Sequence, residues 1–566
     1  MARSPAPLPG PILLPLALLV GARRQMGREW RAGPAHALAI AGPKPKSLAA
    51  KPRDVRPADA AAGERLLRGE FRFHGEALEV GAGGNPWDRP CPSERFATDL
   101  HGFAWAGDLI AAGEAGARET LRLWLEWRRL FGRARGFAWM GEALERRVFN
   151  LACAAPALLP VASDAEGAAL IADLARQARH LISETADPGR ALERAAAAAL
   201  AGAALADPAG AGLLKRALPR LERETPIAVL PDGVHASRAP ERGLALLFDL
   251  LALDDALSQR GQPAPVEVAR AIDRLSAATR FFAMADGRLA AFQGGEAGSA
   301  QAVATVLALD ASRTATVTAA IHGGYRRMES RQIQVIADVA APADGAWSAG
   351  ACDQPAAIEI VCGGRRLVTA CAWSASAPAA AARLRGPIGG SCLALGAQSG
   401  GAALEGLAAG AFGPRLKGGA GEVKAERHED DTGVWLDIAH DAWRRAFGLS
   451  HTRRLFLDLA AEELRGEDQT TPIGRGGRRG LIPYAVRFHL LPQVSAQVAV
   501  DGKSVLIKPA GEPGWRLRSN AAELRLDPGV VFEDGETRQT ETIVLAGFLR
   551  PSEGGHVRWK LSRAEA

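Results

Sequence analysis

The chain has 566 residues, of which 48% are hydrophobic and 23% are charged, so it is too long for one ordinary core and too apolar for a disordered protein. The net charge of +6 comes mostly from arginine, which fits an anionic partner but equally fits a composition rich in alanine, glycine and arginine together. No basic run with interleaved aromatic residues occurs, so a nucleic-acid partner is not expected.

The N-terminus contains one apolar run, residues 11–20 (PILLPLALLV). This run is too short to cross a bilayer, so no transmembrane span is expected. It resembles the apolar part of a secretion signal, and the alternative is an apolar leader that packs on the protein. Residues 1–62 are therefore predicted to be a leader, poorly ordered or partly targeting. The protein is expected in the periplasm or cell envelope, with the cytoplasm as the alternative.

Residues 63–300 are predicted to form an α-helical domain. A short hairpin is expected at residues 69–80, and from Ser93 to about residue 285 apolar residues recur at helical spacing, as in Leu121, Trp124 and Trp127. The prolines expected to separate successive helices are Pro188, Pro208, Pro219, Pro240 and Pro263. Helices in series with apolar inner faces form bundles, solenoids or toroids, and no fixed repeat favours the common solenoids.

Residues 301–566 are predicted to form a β-sandwich, because after about Gly298 the helical period gives way to short apolar runs separated by Gly, Asp and Pro. The predicted strands are residues 303–309, 332–337, 357–361, 367–372, 434–438, 455–459, 484–490, 496–500, 504–507, 522–526 and 542–545. A helical half followed by a β half is an α+β layout. Residues 294–300 suit a flexible junction, so limited proteolysis within 295–320 should leave two stable pieces.

Several segments resemble the heparinase II/III-like family in the order in which that family carries them. Residues 230–240 (LPDGVHASRAP) resemble its D-G-G-H-x-S-R-x-P segment. Residues 324–338 (GYRRMESRQIQVIAD) resemble its G-Y-x-R-L and V-I-x-D strand pair. Further similar segments are residues 281–282, 286–287, 291–294, 433–436, 440–441, 447–454, 464–468, 485–490 and 514–515. The resemblance covers about residues 60–562.

This resemblance implies an incomplete (α/α) toroid followed by an antiparallel β-sandwich, and a polysaccharide lyase that acts by β-elimination on an acidic, uronic-acid-containing polysaccharide. Such an enzyme needs a group that offsets the charge of the uronate carboxylate, a base for the C5 proton and an acid for the departing oxygen. No cofactor is implied. The alternative is a catalytically degenerate carbohydrate-binding or cell-envelope protein on the same scaffold, since fold does not decide activity.

The predicted catalytic residues are Tyr325, which matches the family's base position, and His235, which matches a cleft loop. The alternatives are a strand tyrosine that fills the domain interface, and a helix-entry histidine followed by Ser237 as a helix cap. If both act, they are expected to face one basic cleft between the two domains, with Tyr325 deprotonated by nearby cations.

The predicted substrate-binding residues are Arg238, Arg326 and Arg327, because the arginine fork matches a carboxylate. Neighbours on a strand point to opposite faces, so at most one of Arg326 and Arg327 shares the face of Tyr325. His440, His451 and His489 lie in strand-rich sequence, where structural hydrogen bonding is the favoured interpretation.

Two departures from the family pattern weaken the prediction of activity. Cys352 stands where the family segment has one histidine, and Gly390 stands where it has another. Both family histidines are catalytic or metal-binding in active relatives, so no tightly bound transition metal is expected. The six cysteines include no C-x-x-C pair, and buried thiols are expected.

Overall fold

A computed structural model of the protein describes residues 10–184, 187–310, 316–373, 378–396, 398–474 and 480–564. The chain divides into two compact units. The helical unit comprises Leu14–Val229 and Leu244–Ser276, and the β unit is built mainly from Leu230–Gly243 and Ala277–Ala566. The predicted boundary at residue 300 and its proteolysis stay predictions, and residues 311–315 of that junction lie outside the described residues.

Helices dominate the described residues from Gly10 to Leu309. They are α1 (Gly10–Ala32), α2 (Pro34–Ala41), α3 (Ala60–Leu67), α4 (Glu94–Gly102), α5 (Ala106–Ala111), α6 (Glu114–Phe131), α7 (Gly141–Leu158), α8 (Asp164–Ser183), α9 (Ala191–Ala204), α10 (Ala209–Ala228), α11 (Pro240–Gln259), α12 (Val266–Phe282) and α13 (Ala300–Leu309). The predicted hairpin is present as β1 (Glu70–Phe73) and β2 (Glu76–Glu79).

Local sequence explains where these helices begin and which face they bury. Ser93 caps α4 through the backbone N–H of Phe96, as a helix N-cap should. The predicted stripe of α6 is confirmed, because Leu121, Trp124 and Trp127 are all buried. Burying one apolar stripe of a helix contributes more to its stability than helix propensity does.

Two predictions about helix positions are wrong. Pro219 lies inside α10 instead of ending a helix. Leu213, Ala217 and Leu221 keep the buried helical period on both sides of it, so packing outweighs the missing backbone hydrogen bond. Residues 303–309 form part of α13 and not a strand. A short apolar run fits either structure, and the buried pair Val303 and Val306 shows the helical spacing.

The predicted poorly ordered leader also differs from the structure, since residues 10–41 form α1 and α2. Arg179 of α8 donates to the carbonyl of Ala41, the last residue of α2, and to that of Pro43 just beyond it. His36 Nε2 lies 2.9 Å from His180 Nδ1. These contacts satisfy the carbonyls at the end of α2 and hold it against the helical unit.

No described helix is long and apolar enough to cross a membrane. In α1, Leu14, Leu18 and Leu19 are each more than half exposed. The targeting role of the N-terminal run stays a prediction.

The β unit contains two large antiparallel sheets. Its strands are β3 (Ala319–Ala320), β4 (Tyr325–Glu329), β5 (Ile333–Asp338), β6 (Ile358–Cys362), β7 (Arg365–Thr369), β8 (Leu393–Leu395), β9 (Gly401–Ala403), β10 (Leu416–Gly418), β11 (Val423–Glu429), β12 (Gly433–His440), β13 (Leu449–Asp458), β14 (Glu463–Pro472), β15 (Ile482–Leu490), β16 (Val494–Val498), β17 (Ser504–Pro509), β18 (Trp515–Ser519), β19 (Glu523–Glu533), β20 (Glu536–Leu549) and β21 (Gly555–Arg563). Short helices α14 (Pro378–Leu384), α15 (Gly406–Phe412) and α16 (Arg444–Phe447) lie between strands.

One sheet has the order β11-β12-β13-β14-β21-β18-β17-β16 and the other β19-β20-β15-β7-β6-β5-β4-β3, with β8 paired to β15. Alternate residues of both sheets, such as Val335, Ile360, Leu455 and Leu545, form one buried core. Two sheets that share a core form a sandwich. The predicted α+β class, with an antiparallel sandwich after the helices, is confirmed.

We expect the helical unit to lose stability in acid through Glu142 of α7. Burial alone would raise the pKa of Glu142, but Arg190 and Arg95 outweigh it and lower the pKa from 4.5 to about 2. A depressed carboxyl pKa stabilises the fold above pH 4.5, and this contribution disappears as the pH falls towards 2. Urea unfolding at about pH 5 and about pH 3 measures this loss, and Glu142→Gln should reduce it.

The matched control is Glu114→Gln, which replaces an exposed carboxylate on α6. It should leave the pH dependence of the wild-type chain intact. An equal effect of the two substitutions would contradict the assignment to Glu142.

Candidate functional site

Two segments that carry the family resemblance meet within the β unit. In the hairpin β4–β5, antiparallel pairing places Tyr325 opposite Asp338. In the loop before α11, Gly233 and Arg238 have φ angles of 83° and 64°. A positive φ is uncommon for a residue with a side chain, and it persists where surrounding contacts hold it.

The contacts that hold Arg238 in this conformation are made by its own buried guanidinium. Nε donates to Gly323 O at 2.8 Å, Nη1 donates to Ala341 O at 2.8 Å, and Nη2 donates to Asp338 Oδ1. Burial alone would lower the pKa of Arg238, but the carboxylate of Asp338 raises it, so the side chain remains a paired cation. This guanidinium is therefore committed to internal partners and does not present its fork to a substrate carboxylate.

Tyr325 lies beneath this arginine with 0% of its surface exposed. Its hydroxyl donates to Arg238 O at 2.6 Å, and its ring packs against Phe282 and Phe292 with centroids 4.9 and 5.2 Å away. Burial raises the pKa of Tyr325 well above its usual value, although the charge of Arg238 opposes this. A neutral, buried phenol that donates to a carbonyl is not placed to accept a proton from a polymer. In this structure Tyr325 is therefore a buried hydrogen-bond donor, and its predicted role as a deprotonated base in a cleft stays a prediction.

Asp338 joins these residues to two more buried groups. Gln293 Nε2 donates to Asp338 Oδ2 at 2.7 Å, and Gln293 Oε1 accepts from the backbone N–H of Cys352 at 2.8 Å. Both carboxylate oxygens thus have buried donors. We call Arg238, Tyr325, Asp338 and Gln293 the sealed cluster. Sequence reasoning assigned no role to Asp338 or Gln293, although each lies in a family-like segment.

His235 is also buried, in the loop that leads to Arg238. Its Nδ1 accepts from the backbone N–H of Ser237 at 3.1 Å and lies 2.7 Å from Ser237 Oγ. Ser237 Oγ in turn accepts from the N–H of Ala239, directly before α11. These contacts support the helix-entry alternative for His235, while its catalytic role stays a prediction.

Arg326 and Arg327 point to opposite faces of β4, as strand geometry requires. Arg327 is buried like Tyr325, and its Nη1 donates to the carbonyls of Phe281 and Ala283 at 2.9 Å each. Arg326 is half-buried on the other face, where its Nη1 donates to Tyr325 O at 3.0 Å. Of the predicted substrate-binding arginines, Arg238 and Arg327 therefore serve the interior, and substrate binding by any of the three stays a prediction.

The two positions that depart from the family pattern are both buried. Burial raises the pKa of the Cys352 thiol to about 12, so it stays protonated at neutral pH and is a poor metal ligand. A Cβ at Gly390 would lie 3.1 Å from the side chain of Gln354, so a larger residue there would displace that neighbour. Among the described residues, no group of three or more His, Cys, Asp or Glu side chains could hold a metal ion.

Two of the strand histidines, His440 and His451, form a separate buried network. His440 Nε2 lies 2.9 Å from His451 Nδ1, and His451 Nε2 lies 2.9 Å from Asp468 Oδ1. Arg453 Nε donates to the same carboxylate oxygen at 2.8 Å. These contacts support the preferred interpretation of His440 and His451 as structural hydrogen-bonding residues.

Comparison with known proteins decides the family. Residues 312–560 match the family described as heparinase II/III-like, C-terminal. FtsZ-localized protein C of Caulobacter vibrioides (strain NA1000 / CB15N) is 48% identical over 566 residues, which cover 99% of this chain and 98% of that protein. The chain belongs to the heparinase II/III-like family. The predicted family is confirmed.

Solved structures of heparinase II/III-like lyases share the fold. Heparinase III matches with a TM-score of 0.70 at 12% identity, over 89% of this chain and 84% of that one. The heparan sulfate lyase HepC of Pedobacter heparinus matches with a TM-score of 0.55 at 15% identity, over 91% of this chain and 85% of that one. Identities this low show a heparinase III-like fold and leave activity undecided.

Tyr325→Phe should lower the free energy of unfolding by about 1–3 kcal/mol, because it removes the hydroxyl that donates to a buried carbonyl, Arg238 O. Urea unfolding measures the change. Tyr484→Phe is the matched control, because this half-buried tyrosine is the other one in the chain and lies outside the sealed cluster. Equal losses in the two variants would contradict the sealed position of Tyr325.

Proposed function

We propose that this protein is a catalytically degenerate member of the heparinase II/III-like family that acts at the cell-division site through a protein partner. The single observation that carries the loss of catalysis is the sealed cluster. The residue that matches the family base, Tyr325, donates to Arg238 O. The adjacent Arg238, which would offset a uronate charge, is bound to Asp338 instead.

The chemistry of β-elimination explains why the sealed cluster argues against a lyase. The base must accept a proton and the cation must approach the substrate carboxylate. Here the phenol has a raised pKa and no exposed surface. Cys352 and Gly390 also lack the imidazoles that the family pattern has at those positions. A lyase acting on acidic polysaccharide remains the alternative, and it would require Tyr325 and His235 to leave these contacts.

Likeness to FtsZ-localized protein C supports the division-site part of the proposal. The match covers almost all of both chains at 48% identity. Two proteins this similar can share a partner-binding surface even where a catalytic site has been lost, since one fold can carry different functions. The proposed partner is therefore a component that localises with FtsZ, with an acidic polysaccharide as the alternative ligand.

Fluorescence microscopy in the native host tests this proposal. A fusion of the full chain to a fluorescent protein should form a band that coincides with labelled FtsZ, and the band should disperse when FtsZ is depleted. A fusion spread evenly through cells that contain FtsZ bands would overturn the division-site role.

The Tyr325→Phe and Tyr484→Phe fusions separate localisation from lyase chemistry. Both should form the same band as the wild-type chain at equal protein levels. Loss of the band in a folded Tyr325→Phe variant alone would show that the tyrosine hydroxyl has a role that a degenerate site does not have.

A further inference from the structure

A cavity of about 340 Å³ lies in the helical unit, between the end of α8 and the helices α9 and α10. Its walls combine apolar groups, including Leu181, Ile182 and Ala195, with arginine side chains. This volume falls at the lower end of the range found for small-molecule sites, which are commonly apolar with a few placed polar groups. The sealed cluster and the His440 network belong to the other unit, so neither accounts for this cavity.

Arg194 of α9 is the residue that marks the cavity as a binding site. It lines the cavity and is only 7% exposed. Among the described residues, none forms a hydrogen bond or an ion pair with the Arg194 guanidinium. A guanidinium that uses none of its donors within the described protein can bind an anion that enters the cavity.

The neighbouring arginines increase the positive charge around Arg194. Arg220 and Arg223 of α10 also line the cavity. Burial lowers the pKa of Arg220, and the nearby cations, including Arg223 and Arg194, lower it further. Arg220 also donates to Ile182 O at the end of α8.

The carboxylates in the wall are already engaged. Glu224 accepts from Arg223 Nη2 at 2.6 Å. Glu184 accepts from the backbone N–H of Gly141 at 3.1 Å. Burial raises the pKa of Glu184, while this hydrogen bond and the charge of Arg194 oppose the shift. Neither forms an ion pair with Arg194 in the described part of the chain.

We infer that this cavity binds an organic anion, with its carboxylate or phosphate on Arg194 and Arg220 and its apolar body against Leu181, Ile182 and Ala195. Arginine is suited to this role because its planar fork matches both kinds of oxyanion. Such a group could come from a peptide carboxylate or from a phosphorylated small molecule. The site is separate from the proposed loss of catalysis and does not depend on it.

Calorimetric titration of the full chain with two probes tests the inference and distinguishes the two sources. The probes are 3-phenylpropionate, which carries a carboxylate, and phenyl phosphate; 3-phenylpropanamide is the neutral control. At least one anion should bind saturably and the amide should not. The tighter of the two identifies the oxyanion. Equal binding of the amide, or no binding of either anion, would overturn the proposal.

Variants show whether the binding occurs in this cavity. Arg194→Gln should weaken binding at least about tenfold, and Arg223→Gln should weaken it less, because Arg223 is largely exposed. Arg118→Gln, at an exposed arginine of α6, is the charge-matched control and should bind like wild type. If Arg118→Gln weakened anion binding as much as Arg194→Gln, the effect would come from the net charge of the protein, and the proposed site would be wrong.

Stability without ligand provides a second readout. Among the described residues Arg194 forms no hydrogen bond or ion pair that the substitution could remove. Without ligand, Arg194→Gln should therefore melt at the same temperature as the wild-type chain or higher. The bound anion should raise the melting temperature only of chains that retain Arg194. A lower melting temperature of Arg194→Gln without ligand would show that Arg194 stabilises the fold through a structural contact, and would overturn the inference.

Discussion

Asp338→Asn is expected to lower the free energy of unfolding by about 3–5 kcal/mol, because it leaves the buried Arg238 cation without its counter-charge. An asparagine can keep one oxygen for the amide of Gln293, but its NH₂ group then faces another donor at Arg238. Urea unfolding of the wild-type and variant chains measures the difference.

Asp437→Asn is the matched control for this substitution. Asp437 pairs with Arg454 at 3.6 Å on the surface of the sandwich, and its side chain is 51% exposed. Surface pairs contribute about 0–1 kcal/mol, so this variant should unfold nearly like wild type. Similar losses in both variants would show that the Arg238–Asp338 pair is not sealed from water.

Asp468→Asn should have an effect of similar size at the centre of the sandwich. Asp468 accepts from Arg453, from His451 and from Trp559 Nε1, and all three partners are buried. Burial opposes ionisation, yet Arg453 and His451 hold the pKa of Asp468 well below its usual range. Replacing this carboxylate leaves Arg453 buried and uncompensated, with an expected loss of about 3–5 kcal/mol in the free energy of unfolding.

Glu467→Gln provides the control on the same strand. Adjacent strand residues point to opposite faces, and Glu467 contacts the exposed arginines Arg454 and Arg558. Its loss should change the free energy of unfolding by at most about 1 kcal/mol. If Glu467→Gln destabilised the chain as much as Asp468→Asn, the stabilising network would not be confined to the buried face.

Sequence periodicity predicted the elements whose packing depends on neighbours in the chain. The stripe of Trp124 and Trp127 on α6 and the alternation of Tyr325 and Arg327 on β4 both follow from local geometry. Composition was a poorer guide, since alanine-rich residues 34–41 form a helix whose end is held by Arg179, far along the chain. A contact of that kind leaves no local pattern.

The sequence predicted which residues lie in the candidate site, but not their burial or their hydrogen-bond partners. Family-like segments identified Tyr325 and Arg238, and the hairpin register of Tyr325 with Asp338 follows from the strand pair. That Arg238 turns to Asp338, 100 positions away, depends on a loop with positive φ. The burial of Tyr325 depends on the packing of its ring against Phe282 and Phe292. Such tertiary contacts decide whether a matching tyrosine is an exposed base or a buried donor.

The most direct test of the degenerate site is ultraviolet absorbance during incubation with heparan sulfate and with alginate, because β-elimination creates an unsaturated uronate that absorbs. A known lyase of each polymer provides the positive control. We predict no rise in absorbance above the background of the Tyr325→Phe variant. A saturable rise with the wild-type chain and with Tyr484→Phe, abolished in Tyr325→Phe, would contradict the account and make Tyr325 the base of a working lyase.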